Sequence, residues 1–403
     1  MTLVPDNLVA AIGVGQTRFG KTEETPTYVE LMNEAATRAL ASCSLTIDDI
    51  DAIVLSLAPE ALMGVNHAER WCVDYIGGRM KPVMRVQTGG ATGLSAVQAG
   101  YHHVASGLYD RVLVVGADKV RESGDAQQIF NKIWDPFYER DLPLTTISMI
   151  AMSASRYMHR YGTTERDMAR ASVKSHAGGA KNPYAHIRRE VTIEEVLESR
   201  YIAWPLKVLD ACPQSAGGCA VVLCAEDVVD ESAHQPVWIS GIGMAGDTYF
   251  IGDRVGPASG RFDYGDAESL YTAANQAYAM AGITDPAGEI DVVETYASFS
   301  PVELHNVEAL GLAELGKSAP LFWDGTFDLG GRLPVNPSGG TICTNPISVT
   351  AMVRFAEATL QIQGRAGEHQ VPDVEVAVAT GAGGSHQFFN VAVLTSEPRG
   401  GGS

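Results

Sequence analysis

The stretch Val9-Ala-Ala-Ile-Gly-Val-Gly15 reads as an apolar, glycine-rich strand, and Val237-Trp-Ile-Ser-Gly-Ile-Gly-Met244 repeats its character far down the chain. The segments downstream of the two strands also repeat. After the first comes Tyr28 to Ser42, with Leu31, Ala35, Ala39 and Leu40 at helical spacing. The turn Thr46-Ile-Asp-Asp49 and the strand Ile50-Asp-Ala-Ile-Val-Leu-Ser56 complete the unit. After the second come a helix from Glu268 to Ala281, the turn Gly282-Ile-Thr-Asp-Pro286 and the strand Ile290-Asp-Val-Val-Glu-Thr-Tyr296. A strand–helix–turn–strand plan repeated at this spacing, roughly 230–240 residues, signals duplication of a whole domain and not a solenoid.

In each half, strands alternate with helices, which predicts an α/β fold with a mixed or parallel sheet covered on both faces. Working outward, the spacing predicts helices over Ala91–Ser106, Pro301–Leu310 and Ser348–Gln363. It predicts strands over Val112–Gly116, Ala220–Cys224, Val374–Ala379 and Asn390–Thr395. The halves are expected at 1–230 and 231–397, followed by a flexible tail at 398–403 that ends in Gly-Gly-Gly-Ser. An insertion over about 121–182 is expected to serve as a binding wall or a dimer-interface flap.

Bulk properties narrow the function. The chain has 403 residues, 45% of them hydrophobic, enough for a large core. Its net charge of −19 repels nucleic acid and anionic membrane surfaces. Apolar runs such as Arg111-Val-Leu-Val-Val-Gly-Ala117 are too short to span a bilayer, and no signal-peptide pattern opens the sequence, so a cytoplasmic location is expected. The six cysteines form no Cys-x-x-Cys pair, which argues against a disulfide framework or a zinc site.

Several segments, taken in order, resemble the thiolase superfamily and within it the sterol-carrier or lipid-transfer-protein branch. In the first half they are Gln87-Thr-Gly-Gly-Ala-Thr-Gly-Leu-Ser-Ala96, Val104-Ala-Ser-Gly-Leu-Tyr-Asp110 and Pro205-Leu-Lys-Val-Leu-Asp-Ala-Cys-Pro213. In the second half they are Tyr296-Ala-Ser-Phe-Ser-Pro-Val-Glu303, Glu308-Ala-Leu-Gly-Leu312, Asn336-Pro-Ser-Gly-Gly340, Asn345-Pro-Ile347 and Gly381-Ala-Gly-Gly384. The resemblance implies two similar halves forming a five-layered α-β-α-β-α domain, usually dimeric, that handles coenzyme A thioesters. No cofactor is implied beyond the coenzyme A of the substrate, and no metal.

The same resemblance implies a changed site. Thiolases place a nucleophilic cysteine at a helix N-terminus, where a thiolate is favoured. The matching turn here is Gly90-Ala91-Thr92-Gly93, so Gly90 stands where that cysteine would be, and no acyl-enzyme can form there. Tyr296 occupies the place of the family's histidine. The aldolases that cleave steroid side-chain thioesters are similar at this point, although they have Asp where this chain has Ala297. Asn345 replaces a second histidine, Cys343 lies just before it, and His386 follows the glycine loop that in relatives carries a second cysteine.

These positions predict retro-aldol cleavage of a β-hydroxyacyl-CoA to a ketone or aldehyde and a shorter acyl-CoA. Tyr296 is expected as acid/base, with neighbours such as His386 or Cys343 lowering its pKa, and Asn345 as a hydrogen-bond donor of the oxyanion site. Gly89, Gly90, Thr92, Gly340, Gly383 and Gly384 are expected to line the substrate site, with backbone amides near Gly90 and Gly383 forming an oxyanion site. Two alternatives stay open: a catalytically silent acyl-CoA- or lipid-binding subunit, and an acetyl-CoA acyltransferase working through Cys343. The resemblance further implies a homodimer and a small partner protein combining an OB-fold with a zinc ribbon.

Overall fold

The duplication read from the sequence is a physical repeat of strand order. The computed structural model describes residues 7–57, 59–229, 234–254 and 262–399. The boundary expected at 230/231 and the last four residues of the expected tail lie outside the described residues. The first half contributes strands β1 (Val9–Gln16), β2 (Ala52–Ser56), β3 (Val83–Val86), β4 (Arg111–Lys119) and β5 (Ala216–Ala225). The second contributes β6 (Val237–Gly246), β7 (Val292–Glu294), β8 (Val376–Gly383) and β9 (Phe388–Thr395).

All nine belong to one sheet in the order β3-β2-β4-β5-β1-β6-β9-β8-β7. Read outward from the centre, β1-β5-β4-β2 on one side mirrors β6-β9-β8-β7 on the other. Directions match as well: β2 runs parallel to β4, and β7 to β8, while the inner pairs are antiparallel. Within the sheet the two halves join at β1 and β6, where Ala10 pairs with Trp238 and Ala11 with Val237. This is a mixed sheet, and β3 is its extra edge strand on the first half.

Helices follow the same symmetry. Helix α1 (Tyr28–Ser42) begins at a capping box in which Thr27 and Glu30 satisfy each other's backbone amides. It packs on β1, β4 and β5. Its counterpart in the second half is Glu268–Ala281, closed by Gly282 at φ +71 and packed on β6 and β9. Helix α2 (Thr92–Ala105) precedes β4 just as Thr350–Ile362 precedes β8, and these two helices pack against each other between the halves. The contact is close enough that a Cβ on Gly93 would sit 2.4 Å from the Met352 backbone nitrogen. The layers are thus helix, sheet, paired central helices, sheet, helix.

The excursion between β4 and β5 is longer than the expected 121–182. It holds helices over Thr146–Tyr161 and Glu165–Lys181, then a short helix at Ile193–Glu198 and a two-stranded hairpin, before the chain rejoins the sheet at Ala216. Trp134, Met149, Ile150 and Leu206 of this excursion form an apolar cluster with Ala297, Phe299 and Val302 of the second half. It therefore roofs the loop that carries Tyr296. Among the described residues no helix is long and apolar enough to cross a membrane.

Candidate functional site

Tyr296 stands two residues beyond the end of β7, and its backbone is held from both sides. Its amide donates to Thr380 Oγ1 at 2.9 Å, and its carbonyl accepts from Asn306 Nδ2 at 2.9 Å. The ring is 5% exposed and projects towards the N-terminal turn of α2. A Cβ built on Gly90 would lie 2.7 Å from the Tyr296 hydroxyl and 2.5 Å from the Ala382 carbonyl. Hence no side chain fits at position 90 while Tyr296 is in place. The tyrosine hydroxyl occupies the space into which a side chain at position 90 would project.

The hydroxyl donates to Asn345 Oδ1 at 3.3 Å. That oxygen also accepts from Thr350 Oγ1 at 2.8 Å, while Asn345 Nδ2 donates to Cys212 Sγ at 3.0 Å. The three contacts fix which end of the amide faces the tyrosine. The Asn345 backbone amide donates to Ser215 Oγ at 3.1 Å, and Ser215 contacts His186 Nδ1 at 2.9 Å.

Electrostatics run against the expectation of a lowered tyrosine pKa. Burial raises the Tyr296 pKa well above its ordinary value, and the acidic groups of Cys212 and Asp118 push the same way, with Arg354 opposing weakly. Where steroid aldolases are expected to have an aspartate, Ala297 is fully buried in the apolar cluster under the excursion and offers no polar contact. Tyr296 is a group that keeps its proton. Asp118, fully buried and accepting from the Ser348 amide at 2.9 Å, is pushed up to about 6 by the same desolvation.

The glycines expected at the site divide into two sets. Gly89, at φ +63, lies against Gly384, and a Cβ on Gly383 would come within 2.1 Å of the Thr88 carbonyl and 2.8 Å of the Ala91 amide nitrogen. The turn before α2 and the 383–384 loop thus meet backbone to backbone beside Tyr296. Gly340 does not join them. At φ +58 it is buried against the Asn336 side chain, in the turn leading into the short helix Gly340–Cys343. Thr92 is also structural: it is fully buried, its hydroxyl donating to the Gly89 carbonyl at 2.5 Å and accepting from the Thr88 amide at 2.9 Å.

Cys343 and His386 are likewise placed elsewhere. The Cys343 thiol points into the Glu165–Lys181 helix, 3.4 Å from the Ser175 carbonyl and against Gly179, and burial pushes it up to about 12. It cannot serve a substrate beside Tyr296, which removes the acyltransferase route through this residue. His386 faces a separate cavity shared with Arg254 and His305. The thiol that does reach Asn345 is Cys212. It alone of the six cysteines is partly exposed, with its pKa pushed up to about 12. The sequence offered a signal for it, since Cys212 stands inside the Pro205–Pro213 motif. Thr350, Ser215 and His186 carried none. Among the described residues no cluster of three or more histidine, cysteine or carboxylate side chains could hold a metal.

The Gly90–Tyr296 contact makes a direct prediction. Gly90→Cys should lower stability by about 1–3 kcal/mol, the range for overpacking a filled site, as read by chemical denaturation, and should confer no acyl transfer. A stable Gly90→Cys protein that becomes acylated by acetyl-CoA would contradict this geometry.

Two family models match the chain: "Thiolase, N-terminal domain" over residues 9–227 and "Thiolase C-terminal domain-like" over residues 259–396. The chain is 32% identical to an acetyl-CoA acetyltransferase of Methanothermobacter thermautotrophicus, covering 94% of this chain and 96% of that protein. It is 28% identical to a steroid side-chain-cleaving aldolase of Thermomonospora curvata, covering 95% and 97%. Among solved structures it is similar to the Ltp2-ChsH2(DUF35) aldolase, with a TM-score of 0.81, 26% identity and 98% coverage of both chains. With the strand order, the paired central helices and the matched halves in place, the chain belongs to the thiolase family.

Proposed function

We propose that this chain is an acyl-CoA carbon–carbon lyase that cleaves a β-hydroxyacyl-CoA by a retro-aldol reaction. One observation carries the reading: the Tyr296 hydroxyl stands against Gly90, so the site offers a proton where relatives expected to acylate a cysteine offer sulfur. Cleavage of the Cα–Cβ bond requires no covalent intermediate. The β-hydroxyl loses its proton and becomes the carbonyl of the leaving ketone or aldehyde. The bonding pair passes into the thioester enolate, and the enolate carbon takes a proton. Tyr296, kept protonated by burial, is suited to give its own proton to the enolate carbon as it takes up the one the β-hydroxyl loses, which leaves it unchanged, and Asn345 holds its hydroxyl in position. A donor already in place for the developing enolate needs little reorganisation.

The name of the Thermomonospora relative supports a steroid side-chain thioester as the substrate class. The Methanothermobacter relative is named an acetyltransferase, but Gly90 has no side chain to acylate, and we read no acyl transfer through that position here. A silent acyl-CoA-binding subunit is the second reading, favoured by the apolar Ala297 beside the tyrosine. A partner of the DUF35 kind is supported by the composition of the Ltp2-ChsH2 complex. The edge strand β3 supports a homodimer: Val83 and Met84 upon it and Met80 before it are exposed at 38%, 47% and 88%.

Purified protein should convert a β-hydroxyacyl-CoA into a carbonyl product and a shortened acyl-CoA, read by mass spectrometry of both products. Tyr296→Phe should lower kcat at least about 100-fold; unchanged turnover in that variant would remove Tyr296 from the mechanism. Binding without any turnover would select the silent-subunit reading. A raised tyrosine pKa means the protonated form persists through the ordinary value near 10. The rate should therefore show no tyrosine-dependent fall between neutral pH and about pH 10.

Light scattering should give a dimer mass for the native chain and a monomer mass for Val83→Lys/Met84→Lys. A monomeric native chain at micromolar concentration would reject the β3 interface.

A further inference from the structure

The cavity that holds His386 is unused by the reaction proposed above, yet it touches the reaction centre through two elements. Asn306, which holds the Tyr296 carbonyl, lines its wall, and the 383–384 loop that rests on Gly89 runs directly into Ser385 and His386. The cavity measures about 80 Å³.

Four polar side-chain atoms on its wall have no hydrogen-bond partner among the described residues: His305 Nε2, Asn306 Oδ1, Ser385 Oγ and His386 Nε2. His305 is 5% exposed, with its ring packed on Tyr157 at 4.3 Å. Buried polar atoms are nearly always hydrogen-bonded, so four unpartnered ones around one space call for a hydrogen-bonding occupant. The backbone adds to it. Gly384, Ser385 and His386 stand consecutively at φ +58, +56 and +63, a left-handed run that non-glycine residues adopt at a cost and that turns both side chains towards the cavity.

The chemistry of the occupant is set by the lining. Burial pushes His305 down to about 3 and His386 to about 4, so both imidazoles are neutral at ordinary pH. Arg254 spends its donors on the carbonyls of Thr248 and Ser385, and Asp247, Asp253 and Asp263 outnumber it around the rim. An anion is therefore disfavoured. The Asn306 amide nitrogen is committed to Thr295 and Tyr296, so its oxygen can only accept. The occupant must be neutral and must donate.

We propose that this cavity receives a hydroxyl group on the acyl part of the substrate, away from the bond that breaks, and that Ser385 and His386 select acyl-CoA molecules carrying it. The proposal rests on the acyl-CoA reading above and deepens it. A site built to hydrogen-bond a hydroxyl rejects the analogue that lacks it, because its own polar groups are then left unpaired.

The test uses binding, so that it does not depend on lyase activity. A linear S-alkyl-CoA thioether, which cannot be cleaved, is titrated calorimetrically into the full chain alongside mono-hydroxylated counterparts with the hydroxyl moved one carbon at a time. One counterpart should bind at least about 10-fold tighter than the plain thioether, the size of one well-placed hydrogen bond. Ser385→Gly and His386→Gly suit the left-handed backbone and should keep the native melting profile while bringing that preference to within about 2-fold. Equal binding of every thioether, or a preference that survives both variants, would overturn the proposal. If no thioether binds at all, the acyl-CoA reading fails and the proposal falls with it.

Discussion

The structure depends on a buried ion pair between Arg354 and Glu294. Arg354, on the central helix of the second half, donates to Glu294 Oε2 at 2.5 Å, and both side chains are almost wholly excluded from solvent. The remaining carboxylate capacity is filled by the Ser338 hydroxyl and amide at 2.8 and 3.1 Å. Removing one partner of such a pair leaves the other charge buried and unpaired, at a cost of about 3–5 kcal/mol. One turn along the same helix, Glu357 binds His369 at 2.9 Å, Gln16 of β1 at 3.0 Å and Asn182 at 3.2 Å. One helix is thereby tied to the end of β7, to a strand of the other half and to the excursion. Glu294 lies two residues before Tyr296, so these bonds also set where the tyrosine hydroxyl stands.

That rigidity explains how the family's framework can carry changed chemistry. The two central helices approach so closely at Gly93 that the turn before α2 cannot shift, and the 383–384 loop closes it from the far side. In this fixed space a side chain at position 90 and a tyrosine at position 296 exclude each other. Glycine and tyrosine therefore form one unit, and exchanging either alone leaves a clash or a void. The swap also exchanges what the position offers: where the family resemblance implies a cysteine, this chain has a buried hydroxyl that keeps its proton.

The duplication, both ends of the Tyr28–Ser42 and Glu268–Ala281 helices and the pairing of Gly90 with Tyr296 were legible in the residues. Each depends on local pattern or on motif order. What escaped depends on side-chain direction and burial, which a linear string does not carry. Cys343 and Asn345 are two residues apart, yet the thiol packs into a neighbouring helix while the amide faces the tyrosine. Cys212, remote in sequence, is the thiol that reaches that amide. His386 follows the glycine loop as expected, but the left-handed run turns it into another cavity. The direction of the Tyr296 pKa shift was misread for the same reason. Motifs suggested polar neighbours, whereas the apolar roof from the excursion makes desolvation the largest influence.

Carbon–carbon cleavage without an acylated enzyme is read out by intact-protein mass spectrometry of the chain quenched during turnover of a β-hydroxyacyl-CoA. The protein mass should stay unmodified at every time point while products accumulate. A mass increase equal to an acyl group, mapped to any cysteine and appearing and disappearing with turnover, would contradict it.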